Sequence, residues 1–377
     1  MIRRFPRTGV LLAVAGVGAL LCSVVMPALV PSGAATRSSS TATPNIGIAT
    51  TGGFTVTIFA LPPRGTVGPD DLSVMNGNVF VAYQNGVGTM GEASTTAIIP
   101  GSNPPKIGAT QSTIAEFSLS GSGVHKPIAT WLLSGKIDGM TTQPSQNRVL
   151  ASVNEDGNSS FYTVPATAGS TPQHYTCSPD PSSIGGGGTD QMTAVGDAIY
   201  IAGSAPSAAN APALYSVSPQ GGTAKLTPVF LDNASATGPN GPVTLALTDP
   251  DTDTLVPSNA LADSGQVALV SQSDNEIIFA QNPGAPNQTL TQLPVGASID
   301  GLTYATKSKG SLLLTDNSNN RLYAITGSFT TGGAYVSTAS DSTVTKLVGS
   351  LDLMSGAITP IAIGFSNPHA MIFVPSS

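Results

Sequence analysis

The chain has 377 residues, of which only 9% are charged and 5% aromatic, while glycine (42) and proline (30) are abundant. With 40% apolar residues, this composition is typical of a β protein with many turns and a large core, and it excludes a wholly disordered chain. The formal net charge of −7 argues against a nucleic-acid partner, because the phosphates would be repelled.

The N-terminal segment is typical of an export signal. A positively charged start, an apolar run and a small-residue site follow one another in Arg3, Arg4 and Arg7, then Val10 to Val30, then Gly33 and Ala35. We therefore predict a signal peptide over 1–35 and a secreted, extracellular protein with no membrane partner in its mature form. The alternative is a retained membrane anchor, since the apolar run is nearly long enough to span a bilayer.

The Ser- and Thr-rich residues 36–50 predict a flexible spacer, which leaves 51–377 as a single domain. Removing 1–35 leaves 11 basic and 21 acidic side chains, so the mature chain is more acidic than the whole. Of the two cysteines only Cys177 remains, so no intramolecular disulfide can form, and we predict that its thiol is buried. A monomer is expected.

A short motif recurs along the chain. It is a residue, most often Asp, two positions before Leu or Met, followed by a strand-like apolar run. Aligned on its first residue, the copies begin at Asp70, Asp138, Asp190, Val243, Asp300 and His369. Units of this length, each with several short strands and no helical periodicity, predict an all-β fold of the β-propeller type. We predict six blades; seven is the alternative, because residues 334–364 hold more strands than one blade needs.

Two stretches bear on how the ring is built. Residues 298–327 hold the clearest copy, interpreted as three successive strands of one unit. The last copy begins at Pro368 and cannot be completed before the chain ends. Residues 54–61 are predicted to supply its missing outer strand, so that both ends of the chain close the propeller in one blade.

The motif also predicts a site. The first strand of each propeller blade lies nearest the central axis, so the motif would gather a ring of side chains there, namely Asp70, Asp138, Asp190, Asp300 and His369. Crowded carboxylates need a cation, and oxygen-rich clusters suit Ca²⁺ or Mg²⁺. The alternative is that each Asp only caps the turn that leads into its strand.

The pattern Asp300-Gly-Leu, then Leu-Leu-Leu-Thr-Asp316-Asn-Ser-Asn-Asn-Arg321-Leu-Tyr, resembles the NHL-type and gluconolactonase/regucalcin-like six-bladed propellers. That resemblance implies a divalent metal at the mouth of the channel, held by a Glu, Asn residues and the Asp of an Asp-Gly motif. Asp138 and Asp300 match the last of these. No Glu matches the first, because Gly68-Pro69-Asp70-Asp71 stands in that region.

Two functions follow from these observations. The first is a non-enzymatic extracellular binding or scaffold protein that recognises a protein, glycan or small molecule through loops of one face, with residues 84–112 and 248–264 as the long loops. The alternative is a divalent-metal-dependent hydrolase or lactonase acting at the channel mouth. The run Asp249-Pro-Asp251-Thr-Asp253 lacks the Gly and closing Glu of a calcium loop and is interpreted as a turn between strands.

Overall fold

The structure, a computed structural model, describes residues 47–206, 209–339, 342 and 345–376. The predicted signal peptide and most of the predicted spacer lie outside these residues. None of the helices among the described residues is long and apolar enough to cross a bilayer.

The described chain is built from short strands, with two 3-10 turns at Pro144–Gln146 and Pro181–Ile184. The first fourteen strands are β1 (Ala49–Thr50), β2 (Thr55–Ala60), β3 (Pro69–Met75), β4 (Asn78–Tyr83), β5 (Gln111–Ser118), β6 (Ala129–Ser134), β7 (Ile137–Gln143), β8 (Arg148–Val153), β9 (Ser160–Pro165), β10 (Gln173–Ser178), β11 (Thr189–Val195), β12 (Ala198–Gly203), β13 (Pro212–Gln220) and β14 (Thr223–Leu231).

The remaining thirteen strands complete the fold. They are β15 (Ser235–Gly238), β16 (Gly241–Thr244), β17 (Pro250–Leu255), β18 (Val267–Ser271), β19 (Glu276–Gln281), β20 (Thr289–Pro294), β21 (Ile299–Tyr304), β22 (Lys309–Asp316), β23 (Arg321–Ser328), β24 (Ala334–Thr338), β25 (Leu347–Leu351), β26 (Ile358–Ile363) and β27 (Pro368–Pro375).

Local sequence accounts for the tight turns. Asn76 and Gly77 join β3 to β4 with φ of 52° and 77°, the left-handed pair that a two-residue hairpin requires and that Asn-Gly adopts at least cost. The flanking strands show little alternation of buried and exposed residues, because both faces of the sheet are covered by neighbouring parts of the protein. In β4, five of the six residues are buried.

Six strands surround a central axis. β3, β7, β11, β17, β21 and β27 each pack against the next, and β27 packs against β3, so the ring is closed. Each of them is the innermost strand of a largely antiparallel group of strands that extends outwards. Five sheets result, because the parallel pairing of β10 with β14 joins two four-stranded groups into one sheet of eight strands. The chain is therefore a β-propeller, and six, the predicted number of blades, is the number of strands around its hub.

The predicted closure by the two chain ends is confirmed. β2, from the N-terminal side, and the C-terminal β27 belong to one sheet in the order β2-β23-β22-β27. β2 is the outermost strand and β27 the innermost. Ala49 and Thr50, at the end of the predicted spacer, extend the neighbouring sheet by pairing with β26.

The interpretation of 298–327 as one unit is wrong. β21 pairs with β24, whereas β22 and β23 pair in the sheet of β27 and β2. The chain thus leaves β21, builds the middle of the last sheet, and returns to finish the sheet of β21 with residues 334–363. The surplus strands that raised the alternative of seven blades are these returning strands.

The cores lie between neighbouring sheets. In one of them Phe80 and Trp131 from the sheet of β3 pack with Met140, Val149 and Tyr162 from the sheet of β7. Cys177 is buried, as predicted, in the core between the two four-stranded groups of the eight-stranded sheet. Sheet-to-sheet packing of this kind holds the six hub strands close enough for their first residues to meet.

Candidate functional site

Every hub strand carries the same local irregularity near its start. The register of pairing shifts between Pro69 and Leu72, and equivalent shifts occur in β7, β11, β17, β21 and β27. A β-bulge changes the direction in which a side chain points from its strand. The residues at the bulge are the predicted motif residues, so the backbone of each strand turns its first polar side chain towards the axis.

The structure brings all five predicted site residues into one cavity of about 220 Å³ at this end of the hub: Asp70, Asp138, Asp190, Asp300 and His369. The alternative that these aspartates only cap turns is not supported. The hydrogen bonds described for their carboxylates go to side chains and none goes to a backbone N–H.

The motif residue of the fourth strand was placed wrongly. Val243 lies in β16 at the outer edge of its sheet, whereas β17 begins Pro250-Asp251 and carries the bulge of the hub strands. Asp251 therefore fills the sixth position of the ring and lines the cavity. The predicted turn at 249–253 is this strand.

Further residues line the same cavity and were not predicted: Asp71, Gln84, Lys136, Glu155, Gln191, Thr252 and Gln272. Gln84 and Gln272 each follow directly after the second strand of a sheet, where that strand ends beside the start of the hub strand. A polar residue at that point was the signal available in the sequence.

His369 is held between two carboxylates. Its Nδ1 lies 3.1 Å from Asp70 Oδ1 and 3.0 Å from Asp300 Oδ2. Burial alone would lower the pKa of His369, but Asp300 and Asp70 outweigh it and hold that pKa well above its usual range. The two carboxylates therefore favour the imidazolium form of the ring.

Asn367 completes the surroundings of this imidazolium. Its side-chain amide lies 2.8 Å from Nε2 of His369. In the imidazolium form Nε2 donates as well, and a half-turn of the amide then turns its oxygen towards Nε2. The same turn gives a donor to Asn367 Oδ1, which is otherwise buried without a partner.

Lys136 is the second cation of the cavity. Its Nζ lies 2.7 Å from Asp138 Oδ1 and also contacts Glu155 Oε1. Burial lowers the pKa of Lys136, yet Asp138 and Glu155 together raise it above its usual range. Gln84 Nε2 donates to the same Asp138 oxygen at 3.1 Å, so Asp138 is held from two sides.

The other carboxyl groups have fewer partners. Gln191 donates to Asp71, and Gln272 donates to Asp251 at 2.8 Å. Asp71 Oδ2 and Asp138 Oδ2 are buried with no hydrogen-bond partner among the described residues. Burial raises the pKa of Asp190 well above its usual range, and the nearby Asp251 raises it further.

Burial and a neighbouring negative charge also raise the pKa of two more carboxyl groups. Burial followed by the charge of Asp70 raises the pKa of Asp71, and burial followed by the charge of Asp300 raises that of Asp251. The cavity therefore holds more negative charge than its two cations neutralise, and it resists full ionisation.

The predicted metal ring is only partly matched by this geometry. No group of three or more His, Cys, Asp or Glu side chains among the described residues is arranged to hold a metal ion. His369 contacts one oxygen each of Asp70 and Asp300, and Lys136 contacts one oxygen of Asp138. The Oδ2 atoms of Asp71 and Asp138 have no hydrogen-bond partner among the described residues, and carboxylate oxygens are the donors that Ca²⁺ and Mg²⁺ prefer.

A buried carboxylate outside the cavity positions His369. Asp316, fully buried at the end of β22, accepts hydrogen bonds from the backbone N–H groups of Asn319, Ser366 and Asn367 at 3.0–3.2 Å. It also accepts one from the Asn319 amide at 2.8 Å. The segment 366–367, which leads into His369, is thus tied to β22.

We expect Asp316→Ala to lower the free energy of unfolding by about 3 kcal/mol or more, because it removes a fully buried carboxylate together with its hydrogen bonds, and hydrogen bonds to a charged group contribute about 1.5–3 kcal/mol each. Chemical denaturation measures this. The matched control is Asp197→Ala, which removes an exposed carboxylate in the turn after β11 and should change stability by less than about 0.5 kcal/mol. Equal effects of the two changes would contradict the role given to Asp316.

Comparisons with known proteins give remote likenesses. No protein-family model matches the sequence, and no curated protein matches it. Among solved structures, a streptogramin B lyase is 13% identical with a TM-score of 0.40, covering 81% of this chain and 77% of that one. The β-propeller domain of Cps50 (Swd1) from Myceliophteria thermophila is 10% identical with a TM-score of 0.39, covering 79% and 83%. A protein from Lactobacillus plantarum is 12% identical with a TM-score of 0.43, covering 82% and 89%. Sequence identities and TM-scores this low show no family. The propeller fold follows from the arrangement of the strands in this chain, and the resemblance to NHL-type and gluconolactonase-like propellers stays a prediction.

Proposed function

We propose that the protein is a secreted binding propeller that takes up a divalent cation, Ca²⁺ or Mg²⁺, in the hub cavity and presents it to an oxygen-rich ligand outside. The observation that carries this proposal is the charge of the cavity. Seven carboxyl groups line it against two cations, Lys136 and His369. An added cation would relieve their mutual repulsion in a site where water screens little.

The groups free to bind that cation are distinct from those already paired. Asp71 and Asp138 each keep one oxygen without a hydrogen-bond partner among the described residues, and Asp190 lines the same cavity. We assign Asp190 as the principal ligand, with Asp251 as the neighbouring carboxyl group whose charge raises the pKa of Asp190 most. His369 and Lys136 then orient Asp70, Asp138 and Asp300 around the ion.

One loop is placed to contact an outer ligand. Residues 84–110 follow β4, whose last residue Tyr83 pairs with Pro69 at the cavity end of the hub. Residues 256–266 join Leu255 to Val267 at the other end. The two predicted binding loops therefore lie on opposite faces, and part of 248–264 is strand β17. The binding face is the one that bears the cavity and 84–110.

Isothermal titration of the chelator-treated protein with Ca²⁺ and with Mg²⁺ tests the proposal. We expect one ion per chain, and at least about tenfold weaker binding in Asp190→Asn, equivalent to ~1.4 kcal/mol. Asp197→Asn is the control, because it removes the same charge from the far end of the same β-strand region. Absence of binding at millimolar ion, or equal affinity in the two variants, would refute the proposal.

The second candidate is a metal-dependent hydrolase or lactonase. It is favoured by the presence, in one cavity, of the His369 imidazole and of carboxyl groups whose pKa is raised, such as Asp190, which are the types of group that act as general acids and bases. Assay of simple lactones and esters with and without Ca²⁺ decides between the candidates. Turnover that is lost in Asp190→Asn supports the enzyme, and cation binding without turnover supports the binding protein.

A further inference from the structure

A second cavity, of about 100 Å³, lies deeper in the hub, and Gln191, Thr252 and Ala370 border both cavities. Its wall is set by the fourth residue of each hub strand. In five strands that residue is apolar: Leu72, Met140, Met192, Leu302 and Met371. In β17 it is Asp253.

Asp253 is unusual in its surroundings. Its side chain is 4% exposed, and both of its carboxylate oxygens are buried without a hydrogen-bond partner among the described residues. A buried carboxyl group with no partner is costly, and Leu or Met at this place would remove that cost. A group that the fold does not need, facing a cavity, indicates a ligand.

The lining defines the chemistry of that ligand. The cavity offers one carboxylate together with several hydroxyl groups, among them those of Thr141, Thr193 and Thr254, the amide of Gln191, and the apolar side chains named above. One buried negative charge is matched by one positive charge, whereas a divalent ion would leave a net buried charge. The volume has room for several water-sized groups, and so for an alkali ion with water or for a small ammonium group.

We propose that this deeper cavity is a binding site for a monovalent cation, either an alkali ion or the ammonium group of a small amine, with Asp253 as its counter-ion. The site is separate from the divalent site of the upper cavity and does not depend on it.

The test is thermal unfolding of the full mature chain in chloride salts of equal concentration. Na⁺, K⁺, NH₄⁺ and methylammonium are compared with choline, which is bulkier and has no N–H donor. Because a ligand that binds only the native state raises Tm, we expect at least one small cation to raise Tm by about 2 °C or more over choline. A response to K⁺ or Na⁺ alone identifies an alkali-ion site, and a response to methylammonium alone identifies an amine site.

Two variants keep the test decisive. Asp253→Asn preserves shape, and Asp253→Leu restores the residue type of the other strands. Both should lose the cation response, and Asp253→Leu should have a higher Tm than the natural chain in choline. Asp190→Asn should keep the response, which separates this site from the upper one. An equal Tm in all salts, or a response retained in Asp253→Leu, would overturn the proposal.

Discussion

Replacing Lys136 by Met is expected to destabilise the protein by about 3–5 kcal/mol at neutral pH. The cost arises because Asp138 and Glu155, both in contact with Lys136, are left in a buried site without their counter-charge. Chemical denaturation followed by fluorescence of the single tryptophan, Trp131, measures the change.

Two controls define this effect. Lys225→Met removes an exposed lysine of β14 and should cost less than about 0.5 kcal/mol. The double variant Lys136→Met, Asp138→Asn should recover part of the lost stability, because it removes a carboxylate that the single change leaves unpaired. If the double variant is no more stable than Lys136→Met, the loss does not come from unpaired charge.

Stability is expected to fall as pH rises, opposite to the usual acid denaturation. The hub groups Asp71, Asp190 and Asp251 have pKa values raised above those of the unfolded chain, so the native state holds more protons than the unfolded state. Their stabilising contribution is complete below the unfolded pKa, near 4, and is lost as pH rises through the raised pKa. His369 acts in the same direction above about pH 6.5, since its pKa is also raised.

The free energy of unfolding should fall by about 1.4 kcal/mol per pH unit for each proton that only the native state holds. Denaturant midpoints measured from pH 4 to pH 8 in chelator give this slope. Asp190→Asn should make it shallower, and saturating Ca²⁺ should do so as well, because a bound cation favours ionised carboxylates. Stability that increases from pH 5 to pH 8 in chelator would contradict the electrostatics described for the hub.

The sequence allowed the closure of the ring to be predicted, because an incomplete unit at Pro368 required a strand and the alternating run 54–61 could supply it. The path of 298–327 was not predictable in the same way. β21, β22 and β23 are each ordinary strands, and nothing local determines which neighbour each of them pairs with. The exchange of strands between the last two sheets depends on tertiary packing.

The site was predictable where the motif was intact. Asp70, Asp138, Asp190 and Asp300 were found because Leu or Met follows two residues later. Asp251 was missed because Asp253 stands where the motif has Leu or Met. The same Asp253 lines the deeper cavity.

Lys136 and Glu155 were missed for a different reason. Each occurs in one unit only, so no repeat marks it. Lys136 precedes its motif by two residues, and Glu155 comes from a loop after the second strand, so their meeting depends on the closed ring. Gln84 and Gln272, which recur at the same place in two sheets, were the pattern that a repeat comparison could have used.

A crystal structure of the protein grown with millimolar Ca²⁺ tests the central claim most directly, because anomalous scattering locates the ion. The account predicts an ion in the hub cavity in contact with Asp190, with His369 still between Asp70 and Asp300 and Lys136 still on Asp138. A cavity that contains only water under these conditions, with the carboxyl groups of Asp190 and Asp251 hydrogen-bonded to each other, would contradict it.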